Sequence, residues 1–126
     1  MNEELNRACI LACQKCAMLC EQCAVTCSLS PKVNVLSRAL ELSIYCADMC
    51  RLTAAFLQRR ELQAIRFSAL CAEIADICAD ECEKHTEAAC RGCALACREC
   101  AEECRKIAAL QIVDRSEDSS SMRESA

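Results

Sequence analysis

The sequence contains no tryptophan, one tyrosine, two phenylalanines, one glycine, one proline and one histidine. So few aromatic side chains leave little to stack on bases, and a formal net charge of −4 presents no basic face to a phosphate backbone, which excludes nucleic acid as a partner. With one glycine and one proline the chain lacks the punctuation that strands and hairpins need. No run of about 18 uncharged apolar residues is found, so no membrane-spanning helix and no membrane partner are expected. The first residues, Met1-Asn2-Glu3-Glu4-Leu5-Asn6-Arg7, show no basic stretch leading into an apolar one. No export signal is read there, and the expected location is the cytoplasm.

What the chain has in abundance is cysteine, 16 of 126 residues. Small secreted proteins use such numbers for disulfides, but they carry an export signal and a loop-rich chain. In a reducing compartment, clustered thiols point instead to metal.

Ala, Leu, Glu, Arg and Cys dominate, so helix is expected nearly throughout. Ser30 followed by Pro31 marks one break, with Ser30 as a cap and Pro31 opening the next helix. A softer break falls near Gln58-Arg59-Arg60-Glu61, and a third at Lys84-His85-Thr86-Glu87, with Thr86 as N-cap. The breaks predict helices over 2–28, 31–58, 61–85 and 87–112, joined by short connections. The expected fold is all-α, an antiparallel up-down-up-down four-helix bundle with a cysteine-lined core. It occupies a metal-storage domain of 1–113, and the polar residues 114–126 read as a disordered tail.

In the first helix the cysteines stand at Cys9, Cys13, Cys16, Cys20, Cys23 and Cys27, alternating steps of four and three. At about 100° per residue they share an arc of roughly 80°. The fourth helix repeats the pattern with Cys90, Cys93, Cys97, Cys100 and Cys104, while the second adds Cys46 and Cys50 and the third Cys71, Cys78 and Cys82. Arg7, Gln14, Lys15, Glu21 and Gln22 lie off the first stripe, so the sulfurs face inward. Small thiols pack worse than Leu and Ile, so a sulfur-filled interior needs something else to fill it.

Thiolates are soft ligands that select copper(I), zinc or iron–sulfur clusters. Structural zinc favours closed sets of four ligands on knuckles or turns, whereas this spacing runs continuously along helices and is not parcelled into fours. Iron–sulfur ligation favours loop-borne runs ending in Cys-Pro, which are absent here. Copper(I) accepts two thiolates and each thiolate bridges two ions, so 9/13, 16/20, 23/27, 46/50, 78/82, 93/97 and 100/104 read as clamps one turn apart. Capacity then approaches one ion per thiol, about 16 per chain, and the charges cancel. The rival reading is a redox protein, either an iron–sulfur electron carrier resembling ferredoxin or a thiol–disulfide oxidoreductase.

The run Cys71-Ala-Glu-Ile-Ala-Asp-Ile-Cys78-Ala-Asp-Glu-Cys82-Glu-Lys-His85, the run Cys90-Arg-Gly-Cys93-Ala-Leu-Ala-Cys97-Arg-Glu-Cys100-Ala-Glu-Glu-Cys104, and Tyr45-Cys46-Ala-Asp-Met-Cys50-Arg-Leu-Thr-Ala-Ala-Phe56 resemble the bacterial cytosolic copper storage proteins. The likeness spans about residues 5–110. It implies a homotetramer of four-helix bundles, each loading many copper(I) ions along its axis. Ile74 and Ala75 occupy the turn after Cys71, and only two cysteines lie on the second helix, so clustering is expected to be sparser there.

His85 follows Cys82 by three residues and is expected on the sulfur face at one mouth of the bundle, near Cys27 and Cys90. The resemblance makes it a residue that passes copper inward, and a copper chaperone is a candidate partner. Met49 sits at the edge of the face of Cys46 and Cys50 and reads as filler. Asp48, Asp76 and Asp80 have no nucleophile or second histidine to work with, so no enzyme is expected. Leu11, Met18 and Val25 recur every seven residues opposite the sulfur stripe and predict a seam for self-association.

Overall fold

The computed structural model describes residues 2–125, with side chains from 2 to 110. Four helices follow one another: α1 (Glu3–Leu29), α2 (Val33–Gln58), α3 (Ala64–Cys82) and α4 (Ala88–Ser125). Each packs mainly on two neighbours, in the cycle α1·α2, α2·α3, α3·α4 and α4·α1. Connections this short force antiparallel neighbours, so the chain closes into an up-down-up-down bundle. The expected tail over 114–126 lies outside the residues whose side chains are described.

Local chemistry sets the helix ends. Asn2 caps α1, its side-chain oxygen accepting from Glu4 N at 2.8 Å and Leu5 N at 3.2 Å, and Glu3 and Glu4 place negative charge on the positive end of the helix dipole. The α1–α2 break falls where Ser30 and Pro31 predict it, but Pro31 stays in the turn and α2 begins at Val33. There the Ser30 hydroxyl accepts from Lys32 N at 3.0 Å.

At the end of α2, Arg60 adopts φ 59°, Arg60 N donates to Leu57 O at 3.2 Å and Glu61 N to Phe56 O at 3.1 Å. This is a Schellman turn closed without the glycine that usually occupies the left-handed position. Because of it α3 starts at Ala64, later than the expected 61. It also ends earlier, at Cys82, where Lys84 N and His85 N fold back on Glu81 O and Cys82 O in tight i→i+3 bonds. In α4 the Arg91 N–H donates to Glu87 O at 3.0 Å, which makes Glu87, and not Thr86, the capping residue.

By length and composition α1 is apolar enough to cross a membrane, contrary to the expectation that no segment qualifies. Much of that apolar character is its six cysteines, every one buried against the other helices. Alanines flank the sulfurs on all sides: Ala17, Ala47, Ala54, Ala72, Ala79, Ala94 and Ala101 are buried, which lets the four backbones close on a narrow core. Leu57, Ile65 and Ile107 seal the end where α1 begins, with Phe56 and Phe67 stacked beside them at a centroid distance of 4.7 Å. Met49 is buried in the core, as filler should be.

The carboxylates without catalytic partners have structural ones. Arg98 on α4 reaches Asp76 at 3.0 Å, Asp80 at 2.6 Å and Glu83 at 3.0 Å, Arg105 also pairs with Asp76, and Asp48 pairs with Arg51 at 3.3 Å. Leu11, Met18 and Val25 are 58, 55 and 56 % exposed, so these three face outward from α1 as expected.

Candidate metal centre

All sixteen cysteines are free thiols, and all are completely buried. Each helix supplies its stripe through the three-and-four alternation, and the bundle aligns the stripes into one column of sulfur. Six of the expected one-turn pairs stand close: 16/20 at 3.8 Å, 23/27, 46/50, 93/97 and 100/104 at 3.9 Å, and 78/82 at 4.0 Å.

Contacts between helices are as short as those within them. Cys9 lies 3.6 Å from Cys104, Cys20 3.5 Å from Cys93, Cys23 3.7 Å from Cys90, and Cys50 3.7 Å from both Cys71 and Cys100. Sets of four sulfurs therefore form across helices: Cys13, Cys71, Cys100 and Cys104; Cys16, Cys20, Cys46 and Cys97; Cys20, Cys78, Cys93 and Cys97. Spacing along one helix hides these sets, since each draws on three helices. The expectation that the ligands are not parcelled into fours is thus corrected, although members are shared and the sets merge into one another.

Not every inward position along the column carries sulfur. Ala75 is fully buried on α3 between Cys71 and Cys78, where the sequence predicts sparser clustering. On α2 the place before Cys46 is taken by Ser43, also fully buried, with its hydroxyl 3.7 Å from Cys93, 3.9 Å from Cys78 and 4.0 Å from Cys82. Sequence reasoning passed over Ser43. Its position three residues before Cys46 is the signal that places it on the stripe.

Protons are shared unevenly along the column. Cys46 and Cys100 are held below the ordinary thiol range, first by hydrogen bonds with Cys16 and Cys104 respectively. Cys50 and Cys97 are held above it by hydrogen bonds with Cys100 and Cys16. Cys90, the first thiol of the Cys-x-x-Cys run in α4, is pushed up to about 12 by burial. A thiol–disulfide oxidoreductase needs an accessible thiol with a lowered pKa at a helix N-terminus, and the buried Cys90 does not supply one.

His85 lies in the α3–α4 connection rather than on α3 itself. Its Nε2 is 3.1 Å from Glu81 Oε2, and it borders a shallow cleft with Glu83, Thr86, Arg91, Ala94 and Leu95.

Known proteins share this arrangement. The copper storage protein family model matches residues 2–109. The cysteine-rich protein YhjQ of Bacillus subtilis is 38 % identical over 92 residues, 73 % of this chain and 85 % of that one. The Cu(I)-bound copper storage protein BsCsp3, the Csp3 of Bacillus subtilis, superposes with a TM-score of 0.79 at 38 % identity, covering 82 % of this chain and 98 % of its own. A cytosolic copper storage protein from Streptomyces lividans loaded with five coppers gives 0.81 at 35 % identity, over 84 % of this chain and 93 % of its own. With its cysteine column, its four-helix frame and these relatives in agreement, the chain belongs to the copper storage protein family.

Proposed function

We propose that this protein stores and sequesters many copper(I) ions in the cytosol, with residues 1–113 as the storage unit and the sixteen core thiols as ligands. The observation that carries the reading is the continuity of the column: sixteen buried thiols with neighbouring sulfurs 3.5–4.0 Å apart, from Cys9 and Cys104 at one end to Cys27 and Cys90 at the other. A transport chaperone has need of one or two ions, and a catalyst needs a site open to substrate, whereas a closed wall of soft ligands suits retention. No catalytic role is proposed.

His85, at the end of the column where α3 stops, is proposed to receive the metal, delivered by a copper chaperone. Self-association into a tetramer is proposed to use the α1 seam of Leu11, Met18 and Val25. Anaerobic titration of the reduced protein with copper(I), with metal and protein counted after gel filtration, tests storage. Uptake of ten or more ions per chain is expected, and saturation at one or two overturns the reading. Replacing His85 with Ala should slow loading without lowering the final count.

A further inference from the structure

We infer that the thiol column is also a site for divalent tetrahedral ions of the zinc class, holding about two per chain at places set by its geometry. The Cys16, Cys20, Cys46 and Cys97 set is close to a regular tetrahedron of sulfur. Five of its six edges are 3.8 Å (16–20), 3.8 Å (16–46), 3.7 Å (16–97), 3.8 Å (20–97) and 3.9 Å (46–97). A zinc ion bonded to four thiolates at about 2.3 Å requires edges of about 3.8 Å. The sulfurs stand at that separation already, on rigid helices, so little reorganisation opposes binding.

A second set, Cys13, Cys71, Cys100 and Cys104, has edges of 3.8, 3.8, 3.9 and 3.9 Å (13–100, 13–104, 71–100 and 100–104) and shares no member with the first. The third, Cys20, Cys78, Cys93 and Cys97, shares Cys20 and Cys97 with the first, so the two exclude each other. Two disjoint tetrahedra is therefore the limit these three sets allow.

Charge is the objection to zinc, because an ion on four thiolates leaves two negative charges in the core. The surrounding thiols answer it. Cys9 lies 3.6 Å from Cys104, Cys50 3.7 Å from Cys100 and 3.9 Å from Cys46, and Cys93 3.5 Å from Cys20. None of Cys9, Cys50 and Cys93 belongs to either set, and each stands within hydrogen-bond distance of a ligand sulfur, placed to supply the second shell that thiolate sites require. Full loading with zinc, one ion per thiol, stays excluded by its charge.

The test uses the full-length reduced protein under anaerobic conditions, titrated with Zn(II) and, for a spectrum, with Co(II). Two ions per chain should survive gel filtration against a weak chelator, and cobalt should show the intense absorption of tetrahedral thiolate coordination. Cys71→Ser should lose one ion, and Cys97→Ser, which breaks both alternatives in the middle of the bundle, should lose the other. Fewer than one zinc per wild-type chain, a pale octahedral cobalt spectrum, or an unchanged count in both variants overturns the inference. Helical circular dichroism of each variant separates ligand loss from unfolding, and the wild-type count decides the matter if a variant fails to fold. Copper(I) titration of the same preparation is read separately. Protein that takes many copper ions and no zinc defeats this inference alone, and protein that takes two zinc ions and little copper defeats the storage reading alone.

Discussion

The sulfur of Cys20 on α1 stands 3.5 Å from that of Cys93 on α4, the shortest of the sulfur contacts, and Cys20 is also 3.8 Å from both Cys16 and Cys97. Cys9, at the end of the same helix, touches Cys104 at 3.6 Å with the apolar plug beyond it. A thiolate among several sulfurs bridges more than one ion, and one at the end has fewer ions to bridge. Cys20→Ser should therefore lose more copper than Cys9→Ser when both are titrated under the same conditions. Equal losses would mean that each thiol binds its own ion.

The metal-free reduced protein should be fully helical, because helix-favouring residues dominate the chain and alanines, thiols and the apolar plug are all tolerable core groups. Far-ultraviolet circular dichroism with and without copper checks this, and a coil spectrum without metal contradicts it. Leu57, fully buried in the plug, is a sensitive position. Leu57→Ala should cost about 2–4 kcal/mol in denaturant unfolding.

Arg98 ties α4 to three carboxylates of α3 and its connection, and its pKa is raised first by the hydrogen bond with Glu83. The network is partly exposed, so Arg98→Ala should cost only about 1 kcal/mol, and less in high salt. Copper capacity should not change, since no sulfur contact passes through it. A capacity loss in a stable Arg98→Ala protein would show that the α3–α4 spacing is set by this clamp.

Glu3 at the start of α1 pairs with Arg60 in the Schellman turn, and the hydrogen bond with Arg60 holds its carboxyl below the usual range. A carboxyl with a lower pKa folded than unfolded adds stability above its unfolded value, about 4.3, and loses it as pH falls through the folded one. The melting temperature of wild type should thus fall slightly more steeply below pH 5 than that of Glu3→Gln. Parallel curves would show that the pair contributes nothing in solution.

Met18 lies at the centre of the exposed α1 seam. Met18→Glu should shift the protein toward smaller species in analytical ultracentrifugation while leaving copper per chain intact. A wild-type chain that sediments as a monomer at micromolar concentration contradicts the seam.

Much of this was legible in the residues because helix periodicity reports directly on one face of one helix. The Cys9–Cys27 and Cys90–Cys104 stripes and the outward Leu11, Met18 and Val25 follow from steps of three, four and seven, and the number of helices from the breaks at Ser30-Pro31, near Arg60 and near Thr86. What periodicity does not carry is rotation and offset between helices, which is why Cys16, Cys20, Cys46 and Cys97 could not be grouped beforehand. The α2–α3 connection was blurred for a different reason. Arg60 holds a left-handed conformation that composition assigns to glycine, so the turn gave no local warning of its length.

The alternating cysteine repeat also makes capacity a matter of length. Each seven residues of helix, about 10.5 Å, bring two more sulfurs to a fully occupied wall without any new fold element. Inserting or deleting one such unit in all four helices lengthens or shortens the magazine while keeping every face in register. Evolution can then grade how much metal a cell holds in reserve by adding rungs, with no need to invent a site.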